Sequence, residues 1–209
     1  AATPNDPFFS EQWAWTRLDA QAAWDRIDPN AAPVIVAIVD TGIADKHEDL
    51  RPYVQSPPST VIGQTRDDDG HGTLLAGTIG AVKANQLGVA GAAAVQLLSV
   101  KFCSQQVVPS AGLGALAIIE AAQKGADVIN LSWDCGFDSA ALKYAIDYAG
   151  TQGAVVVVAA GNWGLDNDKY HNYPANHGEK KGHVITVMAT DKDDDRASFS
   201  CFGSKSVFI

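Results

Sequence analysis

Apolar residues in this chain fall into short, dense runs separated by stretches in which they recur every three or four positions. The run VIVAIVD after Pro33, ending at Asp40, is almost unbroken and rich in β-branched residues. That pattern predicts a strand buried on both faces, as in a parallel sheet. Similar runs at Val95–Val100, Val128–Leu131, Ala154–Ala160 and Val184–Ala189 predict four more strands. Helical spacing predicts helices over Thr73–Ala84, Ala111–Lys124 and Ser139–Gln152. In the second helix Leu113, Leu116, Ile119 and Ala122 share one face, and Gly125 stops it. In the third, Leu142, Ala145, Ile146 and Ala149 point inward, with Asp138 or Ser139 as cap and Gly153 after the last turn. Strand and helix alternate, which predicts right-handed crossovers and one doubly wound α/β domain over residues 1–209, a mainly parallel sheet flanked by helices. Sites in such sheets gather at the carboxyl ends of strands. The stretch 54–69 reads as the most mobile loop.

Composition narrows the classes. Apolar residues make up 46% and charged residues 19%, a globular balance, and the formal charge is −9. An acidic surface of this kind argues against nucleic acid and anionic membranes as partners and suits a secreted protein or one that binds cations. No apolar run approaches the ~20 residues of a membrane span. The Ala-Ala start suits a processed end. Cys103, Cys135 and Cys201 lack CxxC spacing, which argues against a zinc site or a disulfide framework. One disulfide with a free thiol and three plain thiols both fit.

Three polar residues stand where apolar runs break into small ones. Asp40 closes the first run and precedes Thr-Gly, His71 sits in DGHGT, and Asn162 follows AVVVVAAG. Singly, each has a bland reading. A lone Asp caps turns, and the aspartic-protease reading of Asp-Thr-Gly needs a second copy that the chain does not contain. His71, flanked by glycines, has room to project, but it could be a surface residue or join Asp67, Asp68 and Asp69 around a metal. Asn at a strand exit usually makes a turn.

Together they are more specific. VIVAIVDTGIADKHEDL, DGHGTLLAGTIGA, DVINLSW, VVVVAAGN and SFSCFGSKS, in that order, resemble the subtilisin-like serine peptidases, and the opening PNDPFFSEQW is similar to the thermitase-like branch. The resemblance covers essentially all 209 residues. It implies that Asp40 orients His71, that His71 serves as general base and then general acid, and that Asn162 donates its amide to the oxyanion. It places Ser132, Trp133 and Asp134 in the wall of the first specificity pocket, and Phe102, Cys103 and Ser104 near a second edge, with a peptide or protein substrate added as a strand. It implies a structural Ca²⁺ held by Asp6, Asp49 and Asn85 with the carbonyls of Val82, Leu87 and Val89, all hard oxygen donors.

The sequence departs from the family pattern at Trp133 and Asp134, where Leu-Gly is common, at Lys83 and Ala84 beside the implied calcium loop, and at Leu74, where a second His is usual. Nothing matches the Gly-Thr-Ser element that carries the family's nucleophile, and Ser204 and Ser206 fall in the strand region before it. The expectation is therefore the N-terminal two-thirds of a secreted endopeptidase, with one sheet face open to a C-terminal segment or partner. The alternative is a catalytically silent calcium- and peptide-binding module or truncated pseudoenzyme.

Overall fold

The computed structural model describes residues 3–28, 30–179 and 181–209. Two short helices, α1 (Trp13–Arg17) and α2 (Ala20–Trp24), precede β1 (Ile35–Asp40) and β2 (Ser59–Thr60). Then follow α3 (His71–Gly80), β3 (Gln96–Lys101), α4 (Ala111–Gln123), β4 (Val128–Leu131), α5 (Ala140–Thr151), β5 (Val155–Ala159) and β6 (Val184–Val187). The six strands form one sheet in the order β2-β3-β1-β4-β5-β6, and every pairing is parallel. The chain winds outward from β1 first one way and then the other, the doubly wound α/β arrangement. β1 lies inside the sheet between β3 and β4 and is buried along almost its whole length. Ala37, Ile38 and Val39 are fully buried.

The period-two alternation of side chains divides the core into two layers. Ala37, Val39, Leu98, Ile129, Val156 and Val158 face α4 and α5. Val36, Ile38 and Leu97 face Ala76 of α3. Beyond β1, Asn130, Val157 and Val187 are only half-buried and line a cleft of about 250 Å³. No helix among the described residues is long and apolar enough to cross a membrane.

The α5 face is the one its spacing predicts, with Leu142, Ala145, Ile146 and Ala149 buried and Ser139 capping Leu142 N. The α4 face is not. Leu116 is 56% exposed, and the buried side is Ala111, Gly114, Ala115, Ile118, Ala121 and Ala122. Here α4 packs closely on α5, so small residues take the contact and the larger Leu116 turns outward. α3 begins at His71 and stops at Gly80, short of the predicted Ala84, because the chain then turns back, with Val82 N bonded to Asp49 O. The stretch 54–69 is also tied down. Val54 bridges Leu97, and β2 adds an edge strand to β3.

Candidate active site

The carboxyl ends of three neighbouring strands, β1, β4 and β5, bring Asp40, Ser132 and Asn162 to one rim of the sheet. At the end of β1, Asp40 Oδ1 lies 2.8 Å from His71 Nδ1 and also accepts Thr41 N at 2.8 Å. The carboxylate side chain is 3% exposed and the imidazole 48%. Burial pushes the Asp40 carboxyl up, against the opposing pull of His71 and the Thr41 N–H. A buried carboxylate on Nδ1 fixes the tautomer and leaves Nε2 as the atom able to take a proton.

The loop before His71 is closed by Asp67. Its Oδ1 accepts Thr41 Oγ1 and Gly70 N, both at 2.9 Å, and its Oδ2 accepts Thr73 N at 3.1 Å together with the Thr73 hydroxyl. Burial pushes Asp67 up, but these donors hold it below the ordinary carboxylate range. Gly72 N bonds Thr41 Oγ1 at 3.0 Å, and a Cβ on Gly72 would stand 2.1 Å from Gly42 O. Asp-Thr-Gly and His-Gly-Thr therefore interlock, and the close approach requires glycine. Asp67 is thus occupied by protein donors, and among the described residues no three His, Cys, Asp or Glu side chains are grouped to hold a metal. The run of three Asp gave no sequence signal for this hub, since such runs are usually solvated.

Asn162 is exposed and borders the cleft with Asn130, Ser132 and Ala160. Behind it, Ala160 O accepts two side-chain amides, Asn167 Nδ2 at 2.9 Å and Asn172 Nδ2 at 3.0 Å. Gly161 turns the chain at φ +109°, and a Cβ there would meet Asn172 Nδ2 at 2.3 Å. Asn176 Nδ2 bonds Asn167 O at 3.0 Å and extends the lattice.

Trp133 turns inward. Its Nε1 donates to Val39 O at 2.9 Å and its ring lies 4.8 Å from that of Phe102. Phe102 is buried and its N–H bonds Asp40 O, so this side chain supports the wall from beneath. Asp134 is half-buried, and Cys135 N bonds Tyr173 O at 2.8 Å. Cys103 is buried, and burial pushes its thiol up to about 11. The Ser104 hydroxyl accepts Gln106 N and Val107 N in a turn. Cys103, Cys135 and Cys201 are all free thiols. Ser204 and Ser206 both donate their hydroxyls to Asp168.

The residues expected to hold calcium also converge. Asp6 accepts Ala84 N at 2.9 Å and Asn85 N at 3.1 Å. Asp49 accepts Asn85 Nδ2 at 2.7 Å and Val89 N at 3.1 Å, and Leu87 N bonds Asn85 Oδ1 at 2.8 Å. The two carboxylates are 5% and 2% exposed, and these bonds come from backbone N–H groups and one neutral amide.

The chain matches the Subtilase family over residues 32–208. It is 37% identical to thermitase of Thermoactinomyces vulgaris, with 97% of this chain and 71% of thermitase covered. It is 42% identical to subtilisin DY of Bacillus licheniformis over 83% of this chain and 62% of that protein. Among solved structures, a protease of Pseudoalteromonas arctica superimposes with a TM-score of 0.85 at 29% identity, covering 98% of this chain and 70% of the other. The epidermin leader peptide processing serine protease of Staphylococcus aureus shares the fold, with a TM-score of 0.83 at 24% identity over 58% of its length.

Proposed function

The chain belongs to the subtilase family, and on that premise we propose that it carries the proton relay of a secreted serine endopeptidase that cleaves peptide or protein substrates by acyl transfer. The observation that carries this reading is the 2.8 Å contact between His71 Nδ1 and a buried Asp40. A serine hydroxyl is a weak nucleophile at neutral pH and needs a base in hydrogen-bond reach. His71 Nε2 takes its proton as the hydroxyl attacks the carbonyl, Asp40 stabilises the imidazolium, and His71 returns the proton to the leaving amine. The Asn162 amide donates to the oxyanion of the tetrahedral intermediate. Ser132 supplies main-chain pairing, while Trp133 and Asp134 shape the first pocket. The nucleophilic hydroxyl belongs to neither Ser204 nor Ser206, which are committed to Asp168.

The protein as its gene encodes it should be labelled by a fluorophosphonate, and His71→Ala should abolish labelling. Absence of labelling and hydrolysis would leave a silent peptide-binding module. Hydrolysis that stops with EDTA and labels no serine would point to a metal-assisted mechanism.

We also assign a structural calcium site to Asp6, Asp49 and Asn85 with the carbonyls of Val82, Leu87 and Val89. Two buried carboxylates and an amide oxygen, brought together from the N-terminal segment, the β1–β2 connection and the loop after α3, fit a hard cation. The ion would neutralise both carboxylates and clamp the N-terminal segment to the loop after α3. A chelator should lower the thermal midpoint, and an unchanged midpoint would remove calcium from the account.

A further inference from the structure

We propose that Lys101 is a positioning residue for the Asp40–His71 pair, its buried ammonium bracing the tip of β1 against the loop that delivers His71. The inference rests on the relay reading above. Lys101 is the last residue of β3 and the register partner of Asp40, so both side chains leave the sheet on the same face. It is fully buried, which is unusual for a lysine and costly unless the charge is paired and hydrogen-bonded.

The ammonium has two partners. Nζ donates to Thr41 O at 2.5 Å and to Asp68 Oδ1 at 2.6 Å. Each partner adjoins the relay. Thr41 N bonds Asp40 Oδ1, and Thr41 Oγ1 bonds both Asp67 and Gly72 N. Fixing the Thr41 carbonyl therefore fixes the donor that orients the Asp40 carboxylate. Asp68 lies three residues before His71, between the Asp67 hub and the helix start. Lys101 thus joins β3, the tip of β1 and the His71 loop at one atom. It also places its positive charge directly against the Asp68 carboxylate. The hydrogen bond from Lys101 holds Asp68 below the ordinary carboxylate range.

The test compares the gene's full product with Lys101→Met, which keeps the length and removes the charge, and Asp68→Asn, which keeps an acceptor and removes the opposite charge. The first readout is the low-field proton resonance of His71 Nδ1–H, assigned by its loss in His71→Ala. A lysine that merely fills space would not move it in a folded variant. Lys101→Met should shift or broaden this resonance and lower kcat on the order of 10- to 100-fold with little change in KM. Asp68→Asn should do the same to a smaller degree. If Lys101→Met does not fold, Asp68→Asn, whose side chain is partly exposed, decides. Folded variants with an unmoved His71 resonance would overturn the proposal. A moved resonance in a protein that hydrolyses no peptide would keep the brace and refute the peptidase reading, so the two failures are distinguishable.

Discussion

Asp40 and Asn162 stand at strand ends two places apart in the same sheet, and they are held by different chemistry. Asp40 sits among charges: His71 on its Oδ1, the Asp67 hub behind Thr41, and the Lys101–Asp68 pair beneath. Asn162 rests on neutral amides, with Asn167 and Asn172 both on Ala160 O and Asn176 tying Asn167. A carbonyl that accepts two amide N–H groups is satisfied at any pH, whereas a carboxylate buried beside an imidazole changes its bonding when either titrates. Under the proposed relay, one end exchanges a proton and is built to feel charge, while the other would meet a transient negative charge with a fixed dipole and is built not to change.

The largest expected effect tests the charged end. Asp40→Asn keeps the shape but lets His71 take the wrong tautomer, and kcat should fall by about 10,000-fold, the size this change has produced in another serine peptidase. The amide end should cost less. Asn162→Ala should lower kcat by roughly 10²–10³ with KM nearly unchanged, a size measured in a subtilisin rather than one deduced from this geometry. Equal losses at both ends in stopped-flow assays would erase the distinction.

A smaller effect tests the support behind Asn162. Asn172→Ala removes one of the two donors to Ala160 O and should lower unfolding stability by about 1–3 kcal/mol in urea titrations. Because no charge is involved, the loss should be the same at acid and neutral pH. A loss that grows with pH would show that the lattice is coupled to an ionising group and that the two ends are not held independently.

The same contrast explains what could be read from the residues alone. The strands were legible because dense β-branched runs such as VIVAIVD and VVVV favour a parallel sheet, although β5 buries only alternate residues, and the Asp40–His71 pair because Asp40 closes such a run and His71 stands between glycines ahead of a helical run. β2 was not, since Ser59–Thr60 has no apolar pattern and exists only through its pairing with β3. The face of α4 was misjudged at Leu116 because periodicity counts large apolar residues, while the close contact with α5 selects small ones. Lys101 falls just past the predicted Val95–Val100 run, although it is the last residue of β3. Its burial depends on Asp68, 33 residues away in the chain, and no local pattern carries that information. The amides behind Asn162 were equally silent, because Asn167, Asn172 and Asn176 look like ordinary turn residues until the fold aims them at one carbonyl.

The smallest expected effects lie in the pH dependence of stability, where two carboxylates should behave oppositely. Burial raises the Asp40 carboxyl above its ordinary 3.8, so the folded protein holds this proton more tightly than the unfolded chain does. That contribution to stability is complete below about pH 3.8 and is lost as pH rises through the raised value. At neutral pH the ionised Asp40 is therefore a burden on the fold, and Asp40→Asn should melt at or above the parent temperature while being nearly inactive. The gap should close as pH falls below about 4. Asp168, beyond the Asn162 end, is the reverse. Ser206 and Ser204 donate to it and hold it at about 2, so its contribution is present above the ordinary carboxylate value and is lost as pH falls through about 2. Asp168→Asn should lower the melting temperature at neutral pH and lose its effect in acid. Calorimetry of both variants from neutral pH to about pH 3 separates the cases, since the two gaps must differ in sign. If Asp40→Asn is the less stable protein at neutral pH, then His71 and Thr41 outweigh burial at that carboxylate, and the relay end is stabilised by its charge rather than strained by it.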